Sequence, residues 1–247
     1  MCAEKINTVG IICPEKGSFN YCYKIFALDQ NENKNGRNIA YTKSGSYEIY
    51  SIYSEKGKIK NAAAAQFLID NYDPQIIIDT GMSFSLSDKL DFYSVIIGEK
   101  GFEYDTFSTA KVDQIPSEYI TSTLVNNDEA KDKIRNYMNN KRDYEGISFG
   151  SIASAEKEVD SRIFSGLLRS RFDTSVWSNS TSAVLKVAEI NEIKTMSFKV
   201  VLSKLRVGTG ERVTGSQKQG YTKLYRLLKD FIDDGVIDEI YNINKQN

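Results

Sequence analysis

The 247-residue sequence contains no histidine. That absence removes the side chain that titrates nearest neutral pH, and with it Ser-His-Asp and Cys-His nucleophile systems and the commonest zinc sites. Any chemistry must run on carboxylates, hydroxyls, thiols, lysines or backbone groups. Cysteine is scarce too: Cys2, Cys13 and Cys22 are odd in number and have no metal-ligand spacing, which reads as the reduced thiols of a cytoplasmic protein. Cys13 falls in an apolar run and is expected to be buried and inert. No excess of either charge is present. With 32 basic and 33 acidic residues the net charge is −1, so neither nucleic acid nor a membrane surface is an expected partner. No apolar run approaches the roughly 20 residues needed to span a bilayer, and the start MCAEKINTVG lacks the basic-then-apolar layout of a signal peptide. GTGERVTG fits neither the P-loop nor the G-x-G-x-x-G pattern, because the third required glycine is missing. It reads as a surface loop, and neither cofactor nor metal is expected.

What is present centres on residues 57–86, GKIKNAAAAQFLIDNYDPQIIIDTGMSFSL. Four successive alanines favour a helix over 61–72. Asp73-Pro74 ends it, because the residue before proline is pushed out of the α region. Ile76-Ile77-Ile78 is too apolar for an exposed strand and predicts one covered on both faces of a parallel sheet. Gly81 then turns into a small polar loop at the strand's carboxyl end, where open α/β sheets hold ligands.

Around that stretch, strands are expected at 8–13, 21–28, 38–43, 47–54, 92–97, 146–152, 174–177 and 197–203. Asn35-Gly36 marks a hairpin turn. Helices are expected at 128–139, 156–172 (apolar at Val159, Ile163, Leu167 and Leu168), 181–193 and 221–241. Arg162, Arg169 and Arg171 read as a solvated face. Strands alternating with helices after residue 55 predict one α/β domain over 1–247, a three-layer α/β/α sandwich with a mixed, mainly parallel central sheet.

The order of these pieces resembles the nucleoside phosphorylase superfamily, most of all the 5′-methylthioadenosine/S-adenosylhomocysteine nucleosidases. Residues 54–86 align without a gap to that family's S-G-x-G-K-x-x-A-A helix start, proline, strand and N-T-G-S-A-G-G-L turn. The likeness continues more weakly through 90–97 and 102–105. It then matches 146–152 to the strand before the base-binding loop, 176–182 to V-E-M-E-A-x-A, and 198–208 to V-R-x-I-S-D.

The resemblance implies a ligand site built from Gly81, Met82, Ser83, Phe84, Ile152, Ala153, Trp177, Ser178, Asn179 and Arg206, yet most of these depart from the family pattern. Met82 and Phe84 are bulky where the family keeps small residues. Ser178-Asn179 replaces the methionine-glutamate pair that holds the ribose hydroxyls. The catalytic aspartate falls at Arg206 or Val207, neither of which can act as an acid at neutral pH. The base-stacking aromatic falls near Ala153. The water-activating acid aligns with Ser18, with Glu15 a displaced candidate that reads by itself as a solvated turn residue beside Lys16. Trp177 is expected to fill the vacated pocket as core, Ser83 to cap a loop and Arg206 to lie at the surface. No catalytic residue is therefore assigned. The expected function is a nucleosidase-like protein that has lost N-glycosidic cleavage and acts in binding or assembly. The alternative is an active nucleosidase or phosphorylase with a rebuilt site for a purine nucleoside-like substrate. Expected partners are a nucleoside-like small molecule and a second subunit, as a homodimer or with an active paralogue, through the aromatics Phe84, Phe92, Tyr93, Phe102, Tyr104 and Phe107.

Overall fold

The computed structural model describes residues 6–43, 47–105, 120–141, 144–159, 161–205 and 210–246. In chain order, strand β1 (Thr8–Cys13) leads into helix α1 (Lys16–Ile25), and β2 (Gln30–Lys34), β3 (Arg37–Thr42) and β4 (Glu48–Tyr53) form a meander. Asn35 and Gly36 join β2 to β3 with φ of +53° and +75°, the two positive angles of a type I′ hairpin. Helix α2 (Lys58–Tyr72), β5 (Ile76–Asp79), β6 (Met82–Ser85), β7 (Val95–Glu103) and β8 (Ile120–Thr121) follow. Next come α3 (Asp128–Asn139), β9 (Ile147–Ser154), α4 (Arg162–Phe172), β10 (Thr174–Ser178) and α5 (Thr181–Ile190). The chain continues with β11 (Lys194–Leu205), β12 (Arg212–Thr214), α6 (Gln217–Asp233) and α7 (Val236–Gln246).

All the strands join one mixed sheet in the order β2-β3-β4-β1-β5-β11-β6-β10-β9-β7-β8, with β12 pairing on β11. β1, β5 and β11 run parallel through the centre. Their apolar residues alternate between faces as strand geometry requires. Ile76 and Ile78 pack with α1, α3, α6 and α7 on one face, while Ile77 packs with Ala64, Ala65 and Leu68 of α2 and Val184 of α5 on the other. This is an α/β/α sandwich, and the Ile76-Ile77-Ile78 run is buried on both sides as its composition predicts.

Several elements differ from the sequence reading. Residues 21–28 are not a strand; most of them complete α1, whose Ser18 and Cys22 are buried one turn apart. The aromatic richness of this run mimics β propensity, but helical spacing decides which residues face the sheet. The polar loop after Gly81 is strand β6, because β11 and β10 supply hydrogen-bonding neighbours on both sides. β7 begins three residues late, after Tyr93 at φ +69°. α4 begins at Arg162 behind the Ser161 cap, and its Ile163 points outward at 89% exposure. The last helix is two, broken at Gly235 with φ +76°. Part of the glycine-rich loop pairs as β12.

Candidate functional site

The site grows from the carboxyl ends of β1 and β5. Gly81 has φ +121°, and a Cβ there would stand 2.8 Å from Glu15 Oε2 and 3.1 Å from Pro14 Cδ. Only glycine tolerates both the angle and the approach. Glu15 is not a solvated turn residue: it is 9% exposed. Its Oε2 accepts from the Met82 backbone N–H at 3.3 Å and from the Tyr221 hydroxyl at 3.2 Å. Burial raises its pKa, against the opposing pull of Lys199, Lys56 and these two donors. The same burial and the nearby carboxylate push the Tyr221 phenol upward.

Of the two candidates for a water-activating acid, Glu15 is the one that bonds the backbone of the Gly81 turn. Ser18, the ungapped alternative, bonds the Tyr225 hydroxyl at 2.5 Å. Tyr225 also meets Thr80 Oγ1 at 2.8 Å and Cys13 Sγ at 3.1 Å. This buried cluster ties α6 to β1, α1 and the turn after β5. Cys13 and Cys22 are both buried thiols.

The raised Glu15 pKa gives a signed prediction. Below its ordinary value of 4.5, the group is protonated in folded and unfolded chains alike and has no effect on the balance. Above that pH the unfolded chain releases the proton first, so folding is progressively disfavoured until the folded group also ionises. Glu15→Gln keeps the acceptor oxygen and removes this penalty. The variant should melt higher than the parent at pH 7, with the difference closing as pH falls towards 4.5. Thermal melts across that range measure it, and a variant less stable than the parent at pH 7 would contradict it.

The space above Glu15 is occupied by the chain's own side chains. Phe84 of β6, Trp177 of β10, Ala153 of β9 and Phe102 of β7 stand in register across four strands. They pack in one cluster with Val159, Leu168 and Phe172. Small Ala153, where the resemblance seeks a stacking aromatic, leaves room that Trp177 and Phe102 fill. Arg212 caps the outside, its guanidinium 5.2 Å from the Phe84 ring centroid and bonded to Ser203 Oγ and Glu158. What remains between Glu15, Met82, Ser83, Phe84, Trp177 and Asn179 is a cavity of about 20 Å³, enough for a single water. Trp177 Nε1 and Ser83 Oγ are buried there without a hydrogen-bond partner among the described residues, so Ser83 caps no loop.

The other expected site residues are dispersed. Ile152 packs into a separate apolar cluster with Ile96, Val176 and Val201. Ser178 is buried, its Oγ 3.1 Å from Ser180 Oγ. Arg206 and Val207 lie outside the described residues, as does Phe107. Phe84 and Phe102 are only 1% and 2% exposed and are spent in the chain's own core. Asp105, at the end of the weakly similar stretch 102–105, pairs within the chain with Lys58 at 2.6 Å.

Sequence reasoning missed the most unusual feature, a fully buried ion pair beneath the Gly81 turn. Lys199 Nζ donates to Asp79 Oδ1 at 2.8 Å, Thr80 O at 2.5 Å and Ser180 Oγ at 2.7 Å. Asp79 also accepts from Ser197 Oγ at 2.8 Å. A lysine in the middle of the apolar run SFKVVLS, in an expected strand, was the available signal, since lysine is almost never buried unpaired. Among the described residues no group of three acidic or cysteine side chains could hold a metal ion.

The order of strands and helices defines the fold: the chain has the nucleoside phosphorylase-like fold. It is similar to the 5′-methylthioadenosine/S-adenosyl homocysteine nucleosidase of Helicobacter pylori (TM-score 0.78, 16% identity, covering 94% of this chain and 100% of that one). It is also similar to the futalosine hydrolase of H. pylori (TM-score 0.76, 16% identity, 93% and 98% covered). The nucleosidase of Campylobacter jejuni superposes with TM-score 0.72 at 13% identity over 97% and 99%. No protein-family model and no curated protein matches the sequence. Among the described residues no helix is long and apolar enough to cross a membrane.

Proposed function

We propose that this protein is a nucleosidase-fold binding or assembly protein that no longer cleaves N-glycosidic bonds. The observation that carries the reading is the filled cleft: Met82, Phe84 and Trp177 leave about 20 Å³ beside the Gly81 turn, where the resemblance expects a ligand. The sequence supports it, because Ser178-Asn179 supplies no carboxylate for ribose hydroxyls and neither Arg206 nor Val207 supplies an acid for the purine. Loss of a general acid alone typically removes about 10²–10⁴-fold in rate. Incubation of the full chain with 5′-methylthioadenosine, adenosine or inosine, with and without phosphate, should release no base above the protein-free rate by liquid chromatography. Base release that Glu15→Ala abolishes would overturn the proposal. The role in assembly predicts a defined dimer or hetero-oligomer in solution, measured by sedimentation.

One observation favours a second reading, an enzyme with a rebuilt site. Glu15 is buried, its pKa is raised by that burial and it bonds the backbone of the turn, with Ser83 Oγ and Trp177 Nε1, which have no hydrogen-bond partner among the described residues, beside it. Such a group is suited to general acid–base work if Met82 and Phe84 move aside for a substrate. The same assay decides between the two.

A further inference from the structure

A second cavity, of about 190 Å³, opens between α4, the segment after β6 and the end of β11. It shares no lining residue with the closed cleft. Arg162, Ser165, Gly166 and Arg169 line one wall at spacings of three, four and seven, which is a single face of the helix. Lys204 enters from β11, and Ser87 and Asp88 come from the segment after β6. Among the described residues, three cations and one carboxylate line the cavity.

The details argue against a merely solvated basic face. Ser165 is only 6% exposed, and its hydroxyl is buried without a hydrogen-bond partner among the described residues. A polar group in that state is costly unless something accepts from it. Ser87 Oγ accepts from the Lys89 N–H at 3.2 Å, which leaves its own proton to give. Arg169 has no carboxylate partner among the described residues. Lys204 is held over the Phe92 ring at 5.0 Å, and its ion pair with Asp91 is long, at 3.9 Å, to a carboxylate that is 94% exposed. Apart from its chain neighbours and its own helix backbone, Gly166 has no atom within 4 Å of where a Cβ would stand, so the wall there is open. Arg171, on another face of α4, does not line the cavity.

We propose that this cavity binds a phosphate group, either free or as a small phosphate monoester. Arg162, Arg169 and Lys204 supply the charge, and Ser165 and Ser87 donate from their hydroxyls. Charge-assisted donors of this kind suit a compact dianion, and the volume leaves room for a small organic group on the phosphate. The assignment is independent of whether the closed cleft retains catalysis.

Calorimetric titration of the full chain with glycerol 3-phosphate, inorganic phosphate and glycerol tests it at low ionic strength. Saturable one-site binding of either phosphate, absent for glycerol and weakened by added salt, is the expected result. Tighter binding of glycerol 3-phosphate supports a monoester as the ligand, and equal binding supports free phosphate. Arg169→Gln should weaken binding by about tenfold or more, and Ser165→Ala by several-fold with the melting temperature retained. No saturable heat up to about 10 mM ligand, or binding that Arg169→Gln leaves unchanged, would overturn it.

Discussion

Replacing Lys199 alone by methionine should cost about 3–5 kcal/mol of folding stability, the usual penalty for stranding one member of a buried ion pair. Lys199 and Asp79 are both fully inaccessible, so the variant leaves a carboxylate in the interior with only hydroxyl donors. An unpaired charge there is expensive because no water replaces the lost cation. Asp79→Leu alone should be comparably harmful, stranding the ammonium instead. The double variant Asp79→Leu/Lys199→Met should recover most of the loss, because both desolvation penalties disappear together. Urea denaturation of the four proteins completes the cycle. A Lys199→Met protein within about 1 kcal/mol of the parent would show that the pair is not held as a charge pair in the folded chain.

The second large effect is expected at the filled cleft. Trp177→Ala removes a 5%-exposed indole that stands in register with Phe84. Lost transfer energy and the cavity left behind together should cost about 3–5 kcal/mol. Because β10, β9 and β6 form a rigid sheet floor, the gap should persist rather than collapse, and a persistent apolar gap binds flat apolar ligands. Indole should then raise the melting temperature of the variant and leave the parent unchanged. At about 100 times its dissociation constant the recovery would be about 2.7 kcal/mol. Phe84→Ala should be similarly destabilising, and the double variant less than additive, since the two rings share one contact. A variant as stable as the parent would mean that Trp177 does not fill the cleft.

The two residues at the heart of these effects differ in how legible they were. Trp177 could be read as a pocket-filling ring because the resemblance placed it beside the lost ribose carboxylate. Lys199 could not be paired, because Asp79 lies 120 positions away and nothing local marks the two as neighbours. Glu15 was misread for the same reason. Its turn contains charged Lys16, which suggests water, but Tyr221 arrives from 206 positions further on and α6 closes over it. β6 was misread because MSFS is locally polar, and a strand flanked on both sides takes its identity from its neighbours.

The sequence by itself determined the elements whose cause is local. These include the alanine helix ended by Asp73-Pro74, the doubly buried isoleucine strand, the Asn35-Gly36 hairpin, helix α3 to the residue and the glycine at the turn. It also determined that histidine chemistry is excluded. Only the tertiary structure decided that Glu15 is a buried acid, that Lys199 is neutralised beneath the turn, and that Arg162, Arg169, Lys204 and Ser165 meet around one cavity. The physical reason is common to all three. Backbone torsions and hydrophobic period are set by residues within a few positions of each other, whereas the charge state and accessibility of a side chain are set by whatever the fold brings against it.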